Sequence, residues 1–292
     1  MPKQSFCVGN HHFSLFMPEY LKSEMELKQY DPFKSKSTKG ELFNLQVQPK
    51  LSLQKNAKTV YQYDDGITSM DIFSLINNGY RFHIAYSGSN DYCIMDSDAL
   101  FKTAQIQMSD NKHLNSYSLD RAMTILYVLS TAKLDTLLIH ASVINNNNQG
   151  FAFLGKSCTG KSTHSQLWLD HIEGSELLND DNPVIRVIDG KVWIFGSPWS
   201  GKTPCYKNES VPLKGIVKLR QASENKIKKL SVLQAYAAIF PACSRMRWED
   251  EIMTGVHHTL EKLTMSVNCF QLDCLPDKDA ANLSYNTINE DI

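Results

Sequence analysis

The sequence predicts an α/β chain in which a mixed sheet follows a β-rich module, and three observations carry that prediction. A short apolar strand, Phe151 to Leu154, runs straight into Gly155-Lys156-Ser157-Cys158-Thr159-Gly160-Lys161-Ser162, and a stretch without Gly or Pro follows it. Two β-branched runs, Val184 to Ile188 and Lys191 to Phe195, flank Asp189-Gly190, a pair that favours a tight antiparallel hairpin, so the sheet is not wholly parallel. Short strand-like runs between polar turns dominate the first third of the chain. This divides the sequence into a β-rich part, residues 1–105, and a larger α/β part, residues 106–292.

In the first part Phe13 to Phe16, Leu42 to Val47, Thr59 to Tyr63 and Tyr80 to Tyr86 read as strands. No catalytic motif appears there, and His11, His12 and His83 are too dispersed for metal-ligand spacing. Such a module either recognises a peptide by strand addition or serves as a passive cover, and composition leaves both open. A helix is expected over Leu119 to Lys133, capped by Ser118, with Leu119, Met123, Leu126 and Leu129 as its core stripe. Leu137 to Ile139 reads as a strand, and the Asn145 to Asn148 run with Gly150 as the turn before the loop strand. Further on, Ile216 to Leu219 reads as a strand and Ser231 to Phe240 as a helix stopped by Pro241. Glu249 to Leu263 reads as a helix with Ile252, Val256, Leu260 and Leu263 on one face and acids at its start. The segment after Asp277 lacks periodicity and is expected to be mobile.

The G-x-x-x-x-G-K-S run has the residue types that a phosphate cradle needs, with a strand before it and a helix after it. Gly155 and Gly160 permit a tight turn in which the N–H groups of Ser157, Cys158, Thr159, Gly160 and Thr163 converge on an anion. Lys161 reaches the outer phosphate oxygens, and the Ser162 hydroxyl suits Mg²⁺. Downstream, Leu177-Leu178-Asn179-Asp180-Asp181-Asn182 is a strand ending in paired carboxylates, which read either as a cation and proton-transfer pair or as a solvated turn. His140, at the end of the preceding strand, is either a phosphate or metal neighbour or a satisfied core imidazole. Gly196-Ser197-Pro198-Trp199-Ser200-Gly201-Lys202-Thr203 follows a strand, and its Lys202 can neutralise a phosphate or an acidic substrate. Arg245, between two helices, can swing toward a transferred phosphate or pair with local acids.

Taken together, His140-Ala141-Ser142-Val143-Ile144, the loop of residues 155–163 and the Asp180-Asp181 pair resemble the P-loop kinases of the HPr kinase and ATP-dependent phosphoenolpyruvate carboxykinase superfamily. The similarity is greatest to HPr-kinase-like proteins associated with peptide modification. It spans residues 137–200 firmly and weakens toward 275, and Cys158 stands where the superfamily has a third loop glycine. The resemblance implies a mixed-sheet P-loop kinase domain of the phosphoenolpyruvate carboxykinase type. It also implies an ATP- and Mg²⁺-dependent transfer of the γ-phosphoryl group to a hydroxyl, above all a serine of a peptide or protein, or else a small hydroxyl substrate. On that analogy Ser162 and Asp181 hold Mg²⁺ and Asp180 accepts the acceptor's proton, although sequence does not settle which acid takes which role, and a homo-oligomer is one possibility, since relatives are often oligomeric. The glycine-rich acidic signature that follows the Asp pair in true HPr kinases is missing, which argues against HPr as substrate. A nucleotide-binding regulatory protein without turnover, or removal of phosphate from a phosphoserine through the same groups, remains open.

Composition fits a soluble enzyme: 292 residues, 42% hydrophobic, 21% charged and a formal net charge of −1. Near-neutral charge gives no case for nucleic acid, and the cluster from Lys218 to Lys229 reads as a solvated face. No apolar run approaches a bilayer span of about 20 residues, and Met1-Pro2-Lys3-Gln4-Ser5 does not open a signal peptide. Seven scattered cysteines form no paired framework or zinc spacing. A cytoplasmic location is therefore expected.

Overall fold

Alternation of apolar and polar residues makes half-buried strands, and the first part of the chain consists mostly of such segments. The computed structural model describes every residue except Ser23, Glu24, Glu26, Thr38, residues 53–56, Lys202, Asp291 and Ile292. One unit comprises Met1–Thr131 with Met246–Glu249, the other Ala132–Arg245 with Asp250–Ile292. Each holds one mixed sheet, and the chain is of mixed α/β class.

The first unit contains β1 (Lys3–Val8), β2 (His11–Phe16), a single turn α1 (Glu19–Lys22), β3 (Glu41–Gln48), β4 (Lys58–Asp64), β5 (Thr68–Ser74), β6 (Tyr80–Tyr86), β7 (Tyr92–Ser97), β8 (Thr103–Gln107) and α2 (Lys112–Thr131). The strands form an eight-stranded sheet in the order β1-β2-β3-β8-β7-β6-β5-β4. The β2–β3 and β3–β8 pairs are parallel and the rest antiparallel. Phe43, Leu45 and Val47 of β3 are buried while their neighbours are half-exposed, the period-2 signature that made β3 legible. Helix α2 starts at Lys112, not Leu119. Its cap is Asn111, whose Oδ1 accepts from the N–H groups of His113 (3.1 Å) and Leu114 (3.2 Å), while Ser118 lies fully buried inside the helix. The helix packs on β3, β6 and β7, and the Tyr127 hydroxyl donates to the Val8 carbonyl. That packing is why the first unit runs on to Thr131 instead of ending at 105.

The second unit contains β9 (Thr136–Leu138), β10 (Ala141–Asn146), β11 (Gln149–Leu154), α3 (Lys161–His171), β12 (Ser175–Asp181), β13 (Val184–Ile188), β14 (Lys191–Phe195), β15 (Ser210–Gln221), β16 (Lys226–Lys229), α4 (Val232–Ile239), α5 (Asp250–Ser266), β17 (Asn268–Cys274) and α6 (Lys278–Glu290). Its nine-stranded sheet runs β12-β10-β11-β15-β14-β13-β9, with β17 on β15 and β16 on β17. Among the described residues its parallel pairs are β11–β15 and β15–β17, and the other pairs are antiparallel. Asp189 and Gly190 both adopt positive φ (49° and 75°), as do Asn147 and Asn148 in the β10–β11 turn (50° and 62°), the geometry that tight hairpins demand. Ser231 caps α4 in a reciprocal capping box with Gln234. Among the described residues no helix is long and apolar enough to cross a membrane.

One face of this sheet carries the core that anchors α3. Phe151 and Phe153 of β11, Val217 and Leu219 of β15, and Phe270 and Leu272 of β17 pack with Trp168 of α3 and Ile288 of α6. Large side chains buried to this degree contribute about 1.5–3 kcal/mol each. The segment after Asp277, expected to be mobile, is instead the ordered helix α6. Asp277 Oδ1 accepts from the Ala280 N–H at 2.9 Å, and the buried face is made of Ala280, Ala281, Ser284 and Ile288. Ala281, Ser284, Tyr285 and Ile288 do recur at helical spacing, but only two of the four are large, so the period is easily passed over among the Asn and Ser residues around it. Ser284 Oγ donates to the Ala281 carbonyl (2.9 Å), accepts from Trp168 Nε1 (3.0 Å) and meets His164 Nε2 (3.1 Å), so α6 is tied by hydrogen bonds to the first turns of α3.

Burial holds His164 far below the ordinary imidazole range, at about 4, so the folded state keeps it neutral where an unfolded chain would protonate it. The unfolded state then binds more protons between pH 6.5 and 4. This contribution to stability is full above pH 6.5 and is lost as pH falls toward 4, with a slope of up to about 1.4 kcal/mol per pH unit. Urea midpoints measured from pH 7.5 to 4 should show this loss, and His164→Gln should flatten it.

Candidate functional site

Register across three strands gathers the site. Ala141 of β10 pairs with Leu154, the last residue of β11, on one side and with Asp181 of β12 on the other. In the next row Ser142 lies between Phe153 and Asp180. His140, the residue before Ala141, and Gly155, the residue after Leu154, therefore leave the sheet at the same edge as the acid pair.

Between β11 and α3 the chain makes the tight loop that the glycines allow. Gly160 has φ 107°, and the first helical bond runs from the His164 N–H to the Gly160 carbonyl at 2.8 Å. The Thr159 N–H bonds to the Lys156 carbonyl at 3.1 Å, and a side chain on Gly155 would press on the Thr159 side chain at 3.0 Å. Cys158 adopts φ 64°, the left-handed conformation in which glycine is at ease and a residue with Cβ is strained. Ser157, Cys158, Ser162 and Thr163 are exposed, and the Cys158 carbonyl accepts from Gln221 Nε2 of β15 at 3.3 Å. The loop thus stands open to solvent at the start of a helix whose far face is locked into the core.

Adjacent side chains on a strand point to opposite faces, and this separates the two acids. Asp180, 5% exposed, faces α3, where Ser162 Oγ donates to its Oδ1 (3.0 Å) and lies 3.2 Å from Oδ2. On the same face Ser142 and Ser165 Oγ are 2.7 Å apart, joining β10 to α3. Asp181 faces the other way, with Oδ1 2.8 Å from His140 Nδ1 and Oδ2 accepting from Asn182 Nδ2 at 2.6 Å. His140 Nε2 is 2.9 Å from Lys161 Nζ, and Lys161 also donates to the Gly155 carbonyl at 3.2 Å. These neighbours assign the His140 tautomer: an ammonium only donates and a carboxylate only accepts, so Nε2 carries the lone pair and Nδ1 the proton. Burial pulls the Lys161 ammonium below the ordinary lysine range, and the fields of Asp181 and then Asp180 oppose that pull.

The segment after β14 clamps the pair from outside. The Gly201 N–H donates to the Asp180 carbonyl, Ser200 Oγ donates to the same oxygen at 3.3 Å, and Asp181 forms an isolated bridge with Ser200. A Cβ on Gly201 would sit 2.8 Å from that carbonyl, so the backbone approaches as closely as only glycine permits. Asn179, fully buried, donates to Ser197 Oγ (3.2 Å) and accepts from the Asn182 N–H (3.0 Å), while Ser197 Oγ donates to the Asn182 carbonyl (2.6 Å). Asp181 itself has φ 150°, an unusual backbone for a residue with a side chain, and this network maintains it.

Lys161, Ser162, His140, Asp180 and Asp181 thus meet in one contiguous cluster at the loop. Lys202 lies outside the described residues. Arg245 is held on the turn before it: Nη1 donates to the carbonyls of Phe240 (2.9 Å) and Cys243 (2.7 Å), and its guanidinium lies 4.3 Å from the Phe240 ring centre. The resemblance set Ser162 beside Asp181 without settling which acid takes which role, and the contacts pair Ser162 with Asp180 and His140 with Asp181. The sequence reading missed Asn179, Asn182 and Ser197. Their signal was present in the Asn residues that bracket the acids, which read equally well as turn formers. Among the described residues no group of three or more His, Cys, Asp or Glu side chains forms a metal cage. One hydroxyl beside one carboxylate is nonetheless a hard-oxygen pair of the kind Mg²⁺ uses when phosphates and water complete its shell.

No family model matches the chain, and no curated protein matches it. Among solved structures, the Hpr(Ser) kinase/phosphatase from Coxiella burnetii matches at 10% identity, with 52% of this chain and 88% of that chain covered and a TM-score of 0.33. A likeness that distant carries no functional weight, and the reading that follows rests on the site itself.

Two substitutions test the local geometry. Cys158→Gly should be tolerated or slightly stabilising and Cys158→Val destabilising by about 1–2 kcal/mol, because a β-branched residue fits the left-handed conformation worst. Removing the hydroxyl in Ser197→Ala leaves the buried Asn179 amide only its 3.4 Å contact with the Ser197 carbonyl, takes the acceptor from the Trp199 N–H, and should cost about 1–3 kcal/mol. Chemical denaturation of the purified variants measures both.

Proposed function

We propose that this chain is a P-loop phosphotransferase that passes the γ-phosphoryl group of ATP to a hydroxyl, a serine of a peptide or protein. The observation that carries the reading is the contact of the Ser162 hydroxyl with Asp180 beside a loop of phosphate-cradling sequence, with Lys161 linked through His140 to Asp181. In this reading the loop amides and Lys161 bind and orient the triphosphate, and Ser162 and Asp180 hold Mg²⁺. When bound, Mg²⁺ offsets charge on the phosphate oxygens. Asp181, oriented by the Nδ1–H of His140 and by Asn182, is the carboxylate that accepts the acceptor's hydroxyl proton. The acceptor oxygen then bonds to the γ-phosphorus as the bond to the bridging oxygen breaks, and ADP leaves. Lys161 stabilises charge on the oxygens of the group in flight.

The division of labour between the two acids is testable with γ-labelled ATP and a lysate as the source of acceptor. Asp181→Asn should keep Mg·ATP binding and slow labelling by about 10²–10⁴-fold, as loss of a general base does. Asp180→Asn should chiefly raise the Mg²⁺ concentration needed for nucleotide uptake. Wild-type labelling by Asp181→Asn, or no uptake of ATP by the wild-type chain, would overturn the assignment.

A further inference from the structure

The row that holds Asp181, Ala141 and Leu154 continues past the loop strand: Leu154 pairs with Lys218, Lys218 with Gln271, and Gln271 with Lys228. Acids stand at one end of the row and cations at the other. Strands β11, β15 and β17 are parallel, so their C-terminal ends open on the same edge as the loop, the edge where ligands settle on sheets of this kind. β15 and β17 run on beyond Leu154, and there Arg220 pairs with Asp273 and Asp273 with Lys226.

Arg220 is held unusually for a surface cation. Its Nε donates to Asp273 Oδ1 at 2.7 Å, its Nη2 donates to Asp273 Oδ2, and Gln271 Nε2 donates to the same carboxylate at 2.9 Å. The double bond fixes the plane of the guanidinium, yet the Arg220 side chain remains 65% exposed. A flat cation held still with an open face is a stacking surface for an aromatic ring. The strand end around it is also fixed: the Ala222 N–H bonds to the Cys274 carbonyl (3.1 Å), and Asn225 accepts from the Leu275 N–H (2.8 Å) while donating to Asp277 (2.9 Å). The next residue, Gln221, ties this end to the loop through the Cys158 carbonyl.

Nucleotide polarity supplies the rest. Ser162, Asp180, His140 and Asp181 lie toward β12, so a triphosphate with its terminal group facing them directs its nucleoside the other way, over β15 and β17. Strand spacing puts those ends about 5 Å and about 10 Å from the loop strand, within the span of a nucleoside. We propose that Arg220, locked by Asp273, is the stacking platform for the purine base of the donor nucleotide. This inference rests on the phosphate-donor reading above and adds to it where the base lies.

Calorimetry on the full chain with Mg²⁺, using ATP and inorganic tripolyphosphate as separate probes, tests it. Arg220→Ala and Arg220→Lys should each weaken ATP binding by about tenfold, the usual scale of a lost base-stacking contact, and leave tripolyphosphate binding unchanged. Unchanged tripolyphosphate binding also certifies that the loop is folded. Equal losses for both probes in Arg220→Ala, unchanged ATP affinity in that variant, or full ATP affinity in Arg220→Lys would each overturn the platform while leaving the donor reading standing. Failure of the wild-type chain to take up either probe would overturn the donor reading and this inference with it.

Discussion

The transverse register of β12, β10 and β11 is the constraint on which the site depends. Because Asp181, Ala141 and Leu154 share one row, the ends of three strands deliver an acid pair, a histidine and the Gly155–Gly160 loop to one edge. A one-residue slip of β12 would exchange the faces of its two carboxylates, taking Asp180 away from Ser162. The register is held where it matters by groups that cannot be solvated: Asn179 and Ser197 are both fully buried, and each depends on the other's polar atoms.

Helix α3 links this edge to the interior. Its first turn presents Ser162 and Thr163 to solvent, while His164, Ser165 and Trp168 bury the opposite side among strands and α6. The helix can therefore start in an exposed loop and still be immobile, since the core and the Ser284 hydroxyl hold its inner face. A strained residue such as Cys158 persists only next to structure that over-determines its backbone.

Strand alternation turns the Asp180-Asp181 dipeptide into two separate environments. One acid is buried against a serine and the other, half-exposed, is linked to an imidazole and through it to an ammonium. Neighbouring carboxylates in sequence thus need not share a role or even a face. The same alternation acts at the end of β15, where Gln221 reaches the loop and Arg220 lies with Asp273 of β17.

The sequence by itself determined the strand, loop and helix of the Gly155–Ser162 motif, the Asp-Gly hairpin, the mixed sheet, the helix capped by Ser231 and the helix with acids 250–251 in its first turn. Each is a local signal, set by glycine conformation, turn chemistry or hydrophobic period. It did not determine where α2 begins, because Asn111 competes with Ser118 as a cap and only burial of Ser118 decides between them. Nor did the reading find α6, whose short stripe of Ala281, Ser284, Tyr285 and Ile288 mixes small and polar residues with large ones and packs on α3 and the sheet. Which acid meets Ser162, and that His140 bridges Asp181 to Lys161, was decided by tertiary structure alone. Those contacts join strands and a helix far apart in the chain, and register, which no short segment encodes, fixes which side chains can touch.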